Sequence, residues 1–138
     1  MPFIHIRICG DDISAKQQQT LNIGMTDIMV NILGKKRELT AVQVETVPPQ
    51  QWTIAGVQPQ KATAYVEANI TEGTNNAEQK AEAIQATYQM LDEVLGGITE
   101  ASYIILREQA ADSWGYAGLT MHTHRILREQ QSQGRRHG

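Results

Sequence analysis

Groups able to move a proton are few in this 138-residue chain, and the most unusual of them stands at position 2. Pro2 opens the alternating run PFIHIRIC, and two readings of it are open. Proline is tolerated at the first residue of a strand, where its missing N–H leaves no ladder bond unmade. Alternatively, removal of Met1 from in front of a small second residue leaves Pro2 with a free secondary amine. An unperturbed α-amino group titrates at about 7.7–8.0, and a secondary amine is more basic. An apolar pocket or a nearby cation disfavours the charged form and draws the pKa back towards neutrality. A neutral amine near pH 7 is a usable general base. Such a base needs beside it only a cationic or hydrogen-bonding group for developing negative charge and an apolar wall.

Candidates for those further roles are Trp52, Trp114, Arg7 and Arg107. Each tryptophan stands in a W-x-x-A-G frame and suits either a pocket wall or interface core. Arg7 shares a strand face with His5, so pairing of either with Glu67 competes with a site role, and Arg107 sits beside Glu108. The LGKKRE run complements a helix C-terminus and offers Arg37 as an outside candidate. His122 and His124 in MHTHR make half of a metal site with no companion carboxylate or cysteine placed to complete it, so no metal is expected. The single Cys9 allows neither an intrachain disulfide nor a cysteine zinc site, which fits a reducing, cytoplasmic compartment. A net charge of −3 and few aromatics give no footprint for nucleic acid. No apolar run approaches the ~20 residues that cross a bilayer.

The elements that must position these groups repeat. A shift of 62 places Leu33-Gly34 on Leu95-Gly96, Trp52 on Trp114, and Ala55-Gly56 on Ala117-Gly118, with no gap from Pro2 to Gly56. Each half reads as strand, helix, strand. Alternation of Ile4, Ile6 and Ile8 gives the first strand. Ser14 with Gln17, and Asn76 with Gln79, have capping-box spacing and announce helices. The helices carry apolar stripes at Leu21, Met25, Ile28, Ile32 and at Ile84, Tyr88, Leu91, Leu95. Gly34 and Gly96 suit the left-handed position beyond a helix end. Val42–Val47 and Tyr103–Leu106 read as second strands.

A β-α-β unit of ~60 residues is near the lower limit for burying enough apolar surface, and its two strands would expose edges. The expected fold class is therefore α/β, an α+β two-layer sandwich in which the tandem β-α-β repeat forms a four-stranded sheet with two helices on one face. Residues 1–60 and 61–121 are the two units of one compact domain, and 122–138 a C-terminal tail with a loose, polar end. The uncovered face, with Phe3, His5, Arg7, Cys9, Tyr65, Glu67, Asn69 and Thr71, is expected to pack against other subunits. The Tyr103–Leu106 strand and Met121–Leu127 are expected to add apolar contact.

Met1-Pro2 before an alternating strand, the duplicated strand-helix-strand order, and the segments WTIAG, WGYAG and ITEGTN together resemble the tautomerase superfamily, specifically its fused 4-oxalocrotonate tautomerase-like members. The resemblance covers residues 2 to about 120. It implies a tautomerase/MIF-like fold and an isomerase moving a proton between enol and keto forms of a small 2-oxo acid. Pro2 is then the catalytic base, Trp114 lies near it as a substrate-binding wall, and Trp52 lies in a second site that lacks proline because its counterpart is Ala64. The resemblance further implies no cofactor and a homotrimer. Dehalogenase, hydratase or decarboxylase chemistry, or a non-catalytic binding homologue, are the alternatives it leaves. The loops CGDDIS and TEGTNN lack the arginine that relatives acting on dicarboxylates carry there, and Asp11 and Asp12 repel a carboxylate. A neutral or singly charged enol is therefore expected, with Arg7 and Arg107 as replacement cations.

Overall fold

The computed structural model describes residues 2–10 and 12–137, so the readings of Met1 and Asp11 lie outside it. Six elements build the frame: β1 (Phe3–Cys9), α1 (Ala15–Asn31), β2 (Ala41–Val47), β3 (Thr63–Thr71), α2 (Ala77–Leu95) and β4 (Tyr103–Gln109). The sheet order is β2-β1-β3-β4, with β1 parallel to β2, β3 parallel to β4, and β1 antiparallel to β3. His5 pairs with Glu67, its own counterpart 62 residues on, so the pseudo-two-fold relating the halves passes through that pair.

Alternation along the strands decides what the sheet buries. Ile4, Ile6 and Ile8 from β1 and Val66, Ala68 and Ile70 from β3 point to the helices and are fully or almost fully buried. Each large aliphatic side chain so buried contributes on the order of 1.5–3 kcal/mol. Both helices start as their sequences predict. Ser14 Oγ accepts from Gln17 N at 3.0 Å while Gln17 Oε1 accepts from Ser14 N at 2.8 Å, and Asn76 and Gln79 repeat the exchange at 2.8 and 3.0 Å. Gly34 and Gly96 close them at φ +70° and +72°.

The α2 stripe is rotated from the expected one. Ala83, Thr87 and Leu91 are buried, Tyr88 and Leu95 are half-buried, and Ile84 is exposed. Close approach of the helices selects the small residues: a Cβ on Gly24 of α1 would lie 2.4 Å from the Met90 sulfur. Thr87 conceals its hydroxyl by donating to Ala83 O at 2.7 Å. The strand β4 also runs longer than its apolar core, because Arg107 and Gln109 find polar partners on β3.

After β4 comes a hairpin of β5 (Gly115–Tyr116) and β6 (Leu119–Thr120). Ala117 and Gly118 turn it at φ +53° and +79°, the left-handed pair of a type I′ turn. Ala55 and Gly56 repeat that turn at +55° and +77°, between the bridged residues Ile54 and Val57. Residues 122–138, expected to be a tail with a loose, polar end, lie mostly in a third helix, α3 (Met121–His137). Thr120 caps it by accepting from Thr123 N at 3.0 Å, and its Gln, Arg, Glu and Leu content favours helix. Met121 is buried, whereas Ile126 and Leu127 are exposed. Among the described residues, no helix is long and apolar enough to cross a membrane.

Candidate active site

Pro2 is buried and stands immediately before the first ladder residue, so its lack of an N–H leaves no strand bond unmade. Its carbonyl accepts from Ala41 N at 3.2 Å, which ties it to the start of β2. Phe3 pairs with Asn69, and Asn69 with Arg107, so the ends of β3 and β4 lie at the same edge of the sheet as Pro2.

The chain leaving β4 at that edge carries Trp114. Its carbonyl accepts from Met121 N at 3.0 Å, and Ala111 O accepts from His122 N at 2.9 Å, so the start of α3 pins the loop. The half-buried Trp114 holds its indole nitrogen away from solvent with no acceptor among the described residues. Leaving a buried donor without an acceptor is unfavourable. Trp52 lies at the opposite edge, after a short turn at Pro49–Gln51. Pro49 lines a cavity of about 540 Å³ there together with Ile8, Cys9, Ala62 and Gly96. The two tryptophans are therefore brought to opposite ends of the sheet, related by the pseudo-two-fold.

The arginines singled out in the sequence lie on the uncovered face and are engaged there. Arg107 donates to Glu67 Oε1 at 3.2 Å, rather than pairing with its neighbour Glu108, whose carboxylate takes Lys80 at 2.7 Å. Adjacent strand residues point to opposite faces, which separates Arg107 from Glu108. Arg7 stacks 6.0 Å from the Tyr65 ring centroid, and His5 meets Glu45 of β2 at 2.9 Å rather than Glu67. Tyr65 donates to Glu67 at 2.8 Å. That bond first, and then Arg107, Arg7 and His5, hold the Glu67 carboxyl below its ordinary pKa against a smaller opposing effect of burial. Arg7 is five residues along β1 from Pro2, roughly 16 Å at strand rise. Arg107 shares the Asn69–Phe3 row, adjacent to Pro2.

Four cations at the Pro2 edge escaped sequence reasoning as a group. Lys35, Lys36, Arg125 and Arg128 line a cavity of about 220 Å³ with Thr71 and Thr74. Met121, Arg125 and Arg128 follow a one-face helical spacing, a signal that reading 122–138 as a tail concealed. Arg37 of the same basic run is instead bonded to Asp27. His124 stacks on Tyr116 with ring centroids 3.9 Å apart and its Nε2 lies 2.9 Å from Tyr116 O, so its ring is occupied. Among the described residues, no three His, Cys, Asp or Glu side chains are placed to share a metal ion.

Two tandem segments, residues 2–62 and 65–124, each match the pattern of the family described as tautomerase enzyme. A probable tautomerase K2 of Dickeya dadantii (strain 3937) is 39% identical over 56 residues, which make 41% of this chain and 84% of that protein. Among solved structures, a fused 4-OT described as a wild-type symmetric trimer superposes with a TM-score of 0.79 at 20% identity, covering 88% of this chain and 98% of that one. Pt0534 inactivated by 2-oxo-3-pentynoate gives 0.80 at 19% identity, with the same coverage. A macrophage migration inhibitory factor-like protein of Entamoeba histolytica gives 0.73 at 18%, covering 86% and 97%. At these identities the structural likenesses speak to the fold.

Proposed function

The chain belongs to the tautomerase enzyme family, each of its halves carrying the family's pattern, and on that premise we propose that it catalyses enol–keto proton transfer on a small 2-oxo acid with the Pro2 nitrogen as base. The observation that carries the proposal is the burial of Pro2 at the sheet edge, held through its carbonyl by Ala41 N. Removal of Met1 leaves a secondary amine there, and burial disfavours its protonated form. The neutral nitrogen takes the enol hydroxyl proton and returns one to carbon, so no cofactor is required. The ring fixes the direction of the nitrogen, which lowers the ordering cost of reaction.

Trp114 supplies an apolar wall and an indole N–H that lacks an acceptor among the described residues. A substrate oxygen on that N–H would satisfy it as charge develops. Arg107, in the neighbouring row, is the arginine better disposed to assist; Arg7 and Trp52 serve the interface and the second, proline-free end. We further propose a homotrimer: Phe3, Tyr103 and Ile105 lie on the uncovered face while 43%, 68% and 41% exposed, and the fused 4-OT cited above is itself described as a trimer. A cytoplasmic location accords with the lone, unpaired Cys9. The test is Pro2→Ala after mass spectrometry has established that Met1 is removed from both chains. Ketonisation of phenylenolpyruvate should fall at least about a hundredfold with the circular dichroism spectrum unchanged. Undiminished turnover would reject the mechanism.

A further inference from the structure

The cavity of about 220 Å³ at the Pro2 edge has a twin. Its lining residues Leu33, Gly34, Lys35, Thr71, Thr74 and Met121 stand 62 residues from Leu95, Gly96, Gly97, Cys9, Asp12 and Pro59, all of which line the cavity of about 540 Å³ at the other edge. The two cavities are thus copies of one duplicated concavity, and they have diverged in charge. Where the larger has Gly97 and Asp12, the smaller has Lys35 and Thr74. Lys36 adds a second cation, and α3, which has no counterpart in the first half, adds Arg125 and Arg128 from the face that begins with Met121.

Among the described residues, no carboxylate lines the smaller cavity. Among the described residues, none of its four cations makes an ion pair. Glu108 acts on Lys35 from a distance but is itself paired with Lys80, and Glu72 lies with Arg125 along the adjoining cleft. Lys35 is held by donating to Thr74 Oγ1 at 2.9 Å, and burial lowers its pKa, a cost that an anion would relieve. Four cations converging on one concavity repel each other unless a negative group enters. Guanidinium groups three residues apart on a helix lie side by side, suited to the oxygens of a carboxylate or phosphate.

We propose that Lys35, Lys36, Arg125 and Arg128, with Thr74, form a binding site for a small oxyanion, carboxylate or phosphate, that the twin cavity has lost. The cations absent from the loops after β1 and β3 are thereby supplied by the α1–β2 turn and by α3.

The probe is inorganic phosphate, titrated into the full chain at low ionic strength and followed by amide shifts. We expect saturable shifts at Gly34, Lys35 and Thr74, and at least a tenfold weakening in the double variant R125Q/R128Q. Both arginines are exposed, so the fold should persist, which circular dichroism checks. K61Q, a single charge removed from the twin cavity, should bind as the parent does. Absence of saturation, or equal affinity in the double variant, would overturn the proposal. Where phosphate competes with the enol, the anion recognised is the substrate's own carboxylate; where it binds without raising KM, it is a free phosphate. Retained phosphate binding in P2A keeps this site independent of the proline mechanism, should that fail.

Discussion

A buried N–H without an acceptor costs on the order of 1–3 kcal/mol, and among the described residues Trp114 has none for its own, beside the edge where Pro2 stands. Trp114→Phe keeps the apolar wall and removes the donor. We expect stability to hold or rise by about 1 kcal/mol, while KM for the enol rises about tenfold; an unchanged KM would take Trp114 out of substrate binding. Glu67 gives a pH prediction. Its pKa is lowered in the folded chain, chiefly by Tyr65, so its contribution is present above the unfolded value of about 4.3 and is lost as pH falls through the lower folded value. Urea midpoints should therefore drop on acidification below about pH 4.3, less steeply in Glu67→Gln; parallel profiles would contradict the assignment. Pro2 was legible as a residue of interest, because proline at a strand start is chemically conspicuous. The partners of the arginines were not: Glu108 is next to Arg107 in sequence but on the other face, and it is Glu67, two strand residues from Tyr65, that receives Arg107.

Capping and turn chemistry make the elements readable. The two capping boxes and the two helix-ending glycines were visible because they rest on local spacing, and they formed where expected. Ser14→Ala should cost about 1 kcal/mol, measured by thermal unfolding. The hairpin after Trp114 depends on Gly115, where a Cβ would lie 1.9 Å from Leu119 O. Gly115→Ala should destabilise by about 1–3 kcal/mol and shift the near-ultraviolet signal of Trp114; a silent substitution would mean that the hairpin is free to move. Thr53 occupies the equivalent position in WTIAG, so the first hairpin does not share the constraint. The helix α3 was illegible for a physical reason. Arg125 and Arg128 face a cavity that exists only once the chain is folded. The stripe of α2 was misplaced because its depth against α1 is set by Gly24, a tertiary contact.

At the scale of the molecule, one β-α-β plan is used twice, and its copies part company at their edges: one holds proline and cations, the other alanine and aspartate. The duplication was legible since two tryptophans coincide under one shift; the charge divergence of the twin cavities was not, since it draws on three separate segments. The uncovered face completes the assembly proposed here. Sedimentation should give three times the 15.3 kDa chain mass, and Ile105→Lys should return the single-chain mass with the helical content retained. A trimer that survives the lysine would place the interface elsewhere. The most direct measurement for the whole account is a nitrogen-15 NMR titration of Pro2, run beside the pH profile of kcat/KM for ketonisation. The account predicts a free amine that loses its proton over the same pH interval in which activity rises. A capped nitrogen, or one still charged through the neutral range while turnover continues, would contradict it.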